Sequence, residues 1–236
     1  WMPYAERLGK KYRFLIYEYP FHTADADEQI DFAAKLLKAL SIEKVILLGA
    51  SDGGVYAQIF AKRHPESVLA MILTTTLTID SDYVRDIQKE RFSTPILLLL
   101  LKLVPAKTEL NLLLKKSTRF LACESEKDQE YGRGFYEVVA SDLNYKQRFI
   151  HSFKCVYMLK DYPPFKESDF EYLRGKIQVL LPEKDMFKKE DQDRLAKLFG
   201  KLDAEILSVP GGHVGFIVQA ECYMDLMEKF LEKNVI

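Results

Sequence analysis

The chain is poor in the residues that most sharply restrict location or fold. Of its 236 residues only 3 are cysteine, 4 histidine and 1 tryptophan. Cys123, Cys155 and Cys222 are odd in number and far apart, matching neither a disulfide framework nor a metal-ligand spacing, so a reducing compartment is expected. No metal or organic cofactor is implied. Neither sign of charge predominates: Lys plus Arg number 34 against 35 Asp plus Glu. With no global field to draw phosphate backbones or anionic membranes, nucleic acid is not an expected partner. No apolar run approaches the roughly 20 residues that span a bilayer. The longest, Pro95 to Leu101, is broken by Lys102 and closed by Pro105, and reads as a buried or lid helix. The opening Trp1-Met2-Pro3-Tyr4 has no basic segment leading into an apolar one, so it is not a secretory signal. It reads as mid-protein sequence, with N-terminal strands expected upstream, and the expected location is cytoplasmic. Neither internal repeats nor low-complexity segments are visible, and nothing bears on oligomeric state.

What is present is the balance of a soluble globular chain, 48% hydrophobic and 29% charged. The length accommodates a single α/β domain with an insert. Tyr12 to Tyr19 is aromatic and β-branched and ends at Pro20, which predicts a strand. From Asp25 to Leu40, apolar Ile30, Ala33, Ala34, Leu37 and Leu40 fall on one helical face. Lys44 to Gly49 is a short continuous apolar run, the pattern of a strand buried on both faces of a parallel sheet. A helix from Gly54 to Arg63 stops at His64-Pro65, and Val68 to Leu73 is another buried strand. This alternation predicts a mostly parallel sheet with right-handed crossovers. It lapses from about Leu77 to Lys166, where helix-like patterns such as Thr108 to Lys116 and Asp142 to Leu159 predict a helical insert. It resumes with a strand from Lys176 to Pro182, a helix through Leu195, Leu198 and Phe199, a strand from Glu205 to Val209 and a final helix toward Leu231. The expected division is a core of residues 1–76 and 167–236 with an inserted subdomain at 77–166.

The chemistry centres on Gly49-Ala50-Ser51-Asp52-Gly53. A serine hydroxyl is a weak nucleophile until a base takes its proton and a rigid backbone holds it clear of its neighbours. A sharp strand-to-helix turn provides that backbone, and it brings the residues two before and two after the serine together, so both should be small. The motif here ends a buried strand and opens a helix, the context that distinguishes such an elbow from an ordinary glycine-rich loop. Among the histidines, His64 lies in a helix-ending His-Pro pair, His151 on a helix of the insert and His22 in the turn after the first strand. His213, in Gly211-Gly212-His213, follows the last strand and precedes the last helix, which projects its ring over the C-terminal edge of the sheet, where catalysis gathers in open α/β sheets. An orienting carboxylate is then required. Asp185, after the penultimate strand, fits the chain order serine, then acid, then histidine, with Glu183, Asp80 and Asp82 as rivals. The backbone N–H of Asp52 would be one oxyanion donor; the other usually comes from an earlier loop, which would lie before Trp1.

The set Gly-Ala-Ser-Asp-Gly-Gly, Glu-Lys-Asp and Gly-Gly-His, with a helical insert between, resembles the α/β-hydrolase superfamily from Trp1 to the chain end, the details of the insert excepted. The resemblance implies a triad of Ser51, Asp185 and His213, with the insert as a cap over an acyl pocket. It therefore implies hydrolysis of an ester or related acyl bond in a small-molecule substrate. Ile96 to Leu101, Phe120, Phe135 and Tyr136 would line that pocket or close the insert's own small core. Two features depart from the family pattern: the His-Gly oxyanion loop is absent, and Tyr19-Pro20-Phe21-His22 stands where a Gly-His-Gly turn is usual. The Tyr-Pro turn and the elbow are also similar to those of maspardin, a member implying a binding or adaptor role, although this chain keeps a histidine after its late Gly-Gly pair. A fold alone does not decide between the two roles.

Overall fold

The computed structural model describes residues 1–234 apart from Phe21, Arg91, residues 106–107, 109–124 and 143, and without the side chains of Tyr136 and Ala140. Phe120, Cys123 and most of the helix expected over Thr108 to Lys116 lie outside the described residues.

The first helices are α1 (Met2–Leu8) and α2 (Ala26–Ala39). Helix α2 starts where the Asp25 carboxylate accepts the Glu28 N–H at 3.0 Å, satisfying one of the amides that a helix leaves unpaired at its first turn. β1 (Val45–Ala50), α3 (Asp52–Arg63) and β2 (Val68–Thr74) follow without interruption. Among the described residues, the α-helices that come next are α4 (Ser81–Lys89), α5 (Ser93–Leu103), α6 (Glu126–Ser141) and α7 (Tyr145–Met158). β3 (Ile177–Pro182), α8 (Lys189–Gly200), β4 (Glu205–Val209), the short α9 (Gly215–Val218) and α10 (Ala220–Asn234) complete the chain.

Among the described residues, four strands form one parallel sheet in the order β1-β2-β3-β4. Its side chains divide by strand alternation. Met71 and Leu73 of β2 and Val179 of β3 point to one face, where they pack with Ile30 of α2, Ile59 and Phe60 of α3 and Phe199 of α8. Ala70 and Ile72 of β2 and Leu180 of β3 point to the other, against Tyr4 of α1 and Tyr223, Met227 and Phe230 of α10. Burying each large side chain stabilises the fold by roughly 1.5–3 kcal/mol, and this places the four strand C-termini on one edge between two helical layers.

One expectation requires correction, and of the two readings of the longest apolar run, buried helix or lid helix, the first does not hold. The segment from Tyr12 to Tyr19 is not a strand: Arg13 to Pro20 has no place in the sheet, although Tyr17 and Tyr19 pack on one core and Phe14 on the other. Aromatic and β-branched content reflects the fit of side chains to a half-buried surface, and that fit is available without a ladder. Helix α5, which contains the longest apolar run, is not buried. None of its residues is enclosed, and Leu99 and Leu103 are 58% and 73% exposed. It leans on α7 along one side, and Lys146 of α7 donates to the Lys102 and Val104 carbonyls at its end. An apolar run is enclosed only where a second layer covers its other faces. Among the described residues, no helix is long and apolar enough to cross a membrane.

Candidate active site

Ser51 occupies the turn between β1 and α3 with φ 54° and ψ −127°, a combination that a residue with a side chain adopts only when its surroundings hold it there. The holders are on both sides. The Ser51 N–H donates to Thr74 O at 3.3 Å, and its carbonyl accepts from the Thr76 hydroxyl at 2.6 Å and the Gly54 N–H at 3.0 Å. The close approach expected at the flanking glycines is one-sided. A Cβ on Gly49 would sit 2.6 Å from Gly53 O and from Gly54 Cα, whereas one on Gly53 would meet only the Tyr19 hydroxyl at an ordinary 3.5 Å. Smallness is therefore needed at Gly49 and not at Gly53. Gly54 is a second tight position, because an added Cβ there would lie 2.4 Å from Thr76 Oγ1.

Asp185 follows β3 and His213 follows β4, and the two loops are stitched together. Glu183 donates its N–H to Val209 O at 3.0 Å and Lys184 donates to Gly211 O at 3.1 Å. Gly211, at φ +92°, makes the turn that aims His213. His213 Nδ1 lies 2.9 Å from Asp185 Oδ1, and His213 Nε2 lies 3.0 Å from Ser51 Oγ. A carboxylate only accepts, so Nδ1 bears the proton and the Nε2 lone pair faces the serine hydroxyl. The two side chains are nearly shut off from solvent, His213 9% and Asp185 1% exposed. Phe187 completes the holder: its N–H donates to Asp185 Oδ1 at 3.2 Å, and its ring meets the imidazole edge-on at 5.0 Å.

The rival carboxylates are elsewhere. Asp80 caps α4 through the Tyr83 N–H at 2.7 Å and pairs with Arg194 at 3.1 Å. Asp82 pairs with Arg85 at 2.8 Å, and Glu183 is exposed. The other histidines have other neighbours: His64 packs on Phe60, and His151 Nε2 lies 2.8 Å from Thr23 O. Among the described residues no group of three or more His, Cys, Asp or Glu side chains is placed to hold a metal ion. A cavity of about 430 Å³ lined by Leu37, Phe60, His64 and Ser67 lies where β1 and β2 begin, at the opposite end of the sheet from Ser51.

The family model for the alpha/beta hydrolase fold matches residues 5–220, nearly the whole chain. The chain belongs to the α/β-hydrolase family. Three solved α/β-hydrolase structures show the same fold. An enol-lactonase from Burkholderia xenovorans LB400 superposes with a TM-score of 0.72 at 16% identity, over 98% of this chain and 85% of that one. A meta-cleavage product hydrolase from Pseudomonas fluorescens IP01 gives 0.68 at 20% identity, covering 99% and 84%. A thermophilic esterase from Thermogutta terrifontis gives 0.68 at 17%, covering 100% and 85%. No curated protein matches the sequence.

Around the elbow of this α/β-hydrolase lie residues that no motif marked. Thr76, two residues past the end of β2, holds the Ser51 carbonyl. On the other side the Asp52 carboxylate accepts from the Gly53 N–H at 2.9 Å and from the hydroxyl of Ser152 on α7. Two tyrosines stand near that carboxylate. Burial, then the neighbouring Tyr17 and Asp52, pushes the Tyr19 phenol well above its ordinary range, and burial followed by Asp52 does the same to Tyr56. Both stay protonated donors. A polar helix residue a hundred positions from the elbow has no local signal that could have disclosed it.

Proposed function

We propose that this chain is a serine hydrolase of the carboxylic-ester type, in which Ser51, His213 and Asp185 act as a triad. The observation that carries the proposal is the continuous line from Asp185 Oδ1 through both imidazole nitrogens to Ser51 Oγ, at 2.9 and 3.0 Å. In acylation, His213 Nε2 takes the serine proton as Oγ attacks the carbonyl carbon, and the electron pair moves to the carbonyl oxygen. Asp185 holds the resulting imidazolium. The Asp52 N–H, at the first position of α3, has no acceptor within its own helix and is one donor to the oxyanion. As the tetrahedral intermediate collapses, His213 returns the proton to the leaving alcohol. In deacylation His213 takes a proton from water as the water oxygen attacks the acyl carbon, then gives it to Ser51 Oγ as the bond between Oγ and the acyl carbon breaks and the acid is released.

The helices between β2 and β3, residues 77–166, are the cap of this site and shape the acyl pocket. A small acyl compound as substrate is supported by the enol-lactonase, esterase and meta-cleavage product hydrolase among the similar structures. Free thiols at Cys155 and Cys222 suit a reducing, cytoplasmic setting. The test is labelling with a fluorophosphonate. We expect a single adduct on Ser51 of the native protein and none on Ser51→Ala, with p-nitrophenyl ester turnover following the same pattern. Native protein that stays unlabelled and inactive would instead make the chain a binding protein on a hydrolase fold.

A further inference from the structure

Helix α7 carries Arg148, His151, Ser152 and Cys155 at spacings of three, four and seven residues, which sets them on one face. That face is turned to the elbow and the turn before α2. Arg148 Nη1 donates to Glu18 at 2.9 Å, His151 Nε2 reaches Thr23 O at 2.8 Å, and the wholly buried Cys155 meets the Tyr56 side chain of α3. Ser152 reaches furthest into the site: its hydroxyl donates to Asp52 Oδ2, while Asp52 Oδ1 is taken by the Gly53 N–H.

The significance lies in which peptide group this holds. Ser51 sits at ψ −127°, and rotation about that angle turns the peptide plane that contains Ser51 C=O and Asp52 N–H. Strain of this kind, of order 1–3 kcal/mol, relaxes unless the flanking structure opposes it. The carbonyl side of the plane is held by Thr76 and Gly54. The amide side is followed, one Cα later, by the Asp52 carboxylate that Ser152 grips.

We infer that Ser152 is a positioning residue: through the Asp52 carboxylate it holds the Asp52 amide in its oxyanion-binding orientation and locks the insert helix to the nucleophile turn. This rests on the Ser51 triad proposed above. An interaction felt only when the oxyanion forms changes kcat and leaves KM nearly constant. Loss of a whole oxyanion donor costs about 10²–10³ in kcat, so loosening one should cost on the order of tenfold.

The experiment uses the full chain, a p-nitrophenyl ester and fluorophosphonate labelling. Ser152→Ala should lose on the order of tenfold in kcat and in labelling rate with KM changed by less than about twofold, and Ser152→Thr, which keeps the hydroxyl, should recover most of the loss. Asp52→Ala should lose at least as much, since it also removes the Gly53 N–H contact, and the double variant should lose no more than Asp52→Ala, because that variant has already lost the Ser152 bond. If Ser152→Ala does not fold, Asp52→Ala carries the test alone. A kcat within about twofold of wild type, a lowered melting temperature as the only change, or losses that multiply in the double variant would overturn the inference. Those outcomes leave Ser51 labelled in the native protein. Failure of the triad is separate, since there the native protein itself does not label.

Discussion

Asp185 and His213 are 28 positions apart in the chain and 2.9 Å apart in the structure. Their loops are joined by two backbone hydrogen bonds, Glu183 to Val209 and Lys184 to Gly211, so carboxylate and imidazole are placed by the sheet rather than by side-chain chance. This arrangement sets distinct expectations for each carboxylate near the site.

Asp185→Asn should lower ester turnover by about 10⁴, because the amide can no longer fix the Nδ1–H tautomer, and His213→Ala should remove at least as much. Asp80→Asn and Asp82→Asn should retain kcat within about twofold, since these carboxylates serve Tyr83, Arg194 and Arg85. Steady-state kinetics on the four variants decides this. A large loss at Asp80 would reassign the acid.

The glycines of the elbow should respond unequally. Gly49→Ala places a Cβ 2.6 Å from backbone atoms that cannot yield and should cost more than about 2 kcal/mol in urea unfolding. Gly53→Ala meets only ordinary contact and gains helix propensity at the start of α3, so its stability should fall within about 1 kcal/mol of wild type. Equal losses would mean that the turn is as tight at Gly53 as at Gly49.

Stability should fall in alkali. Burial raises the phenols of Tyr4, Tyr56 and Tyr223 well above their unfolded value of 10. Below pH 10 both states are protonated and the fold keeps its full stability. Above it the unfolded chain ionises while the folded phenols cannot, so the unfolded state gains, by about 1.4 kcal/mol per pH unit for each such group. Urea midpoints between pH 9 and 11 should decline, and Tyr56→Phe should flatten that decline. A midpoint independent of pH over this range would contradict the burial of these rings.

The apolar helix α5 supplies a contrast with the core. Leu103→Ala, at a position 73% exposed, should change stability by no more than about 0.5 kcal/mol. Phe199→Ala, at a fully buried position, should cost about 3–5 kcal/mol. Thermal or urea unfolding of the two variants makes the comparison.

Much of this protein could be read along the chain. Strand β1, the turn at Ser51 and helix α3 are contiguous, and their signals are local: apolar run, small residues, then helical periodicity. The same holds for the strands that present Asp185 and His213, because a parallel sheet puts every strand's C-terminal loop on one edge whatever the residues between.

Tertiary structure decided what depended on neighbours. Whether Tyr12 to Tyr19 became a strand required a partner strand, and whether the Pro95 to Leu101 run was enclosed required a covering layer; composition records neither. That Asp185, and not Glu183, Asp80 or Asp82, lies against His213 is an ångström-scale contact, and the bond between Ser152 and Asp52 joins residues a hundred apart. Local pattern determines elements and the edge they share, because backbone preferences act over a few residues. Contacts across the sheet are chosen by packing, which only the assembled fold specifies.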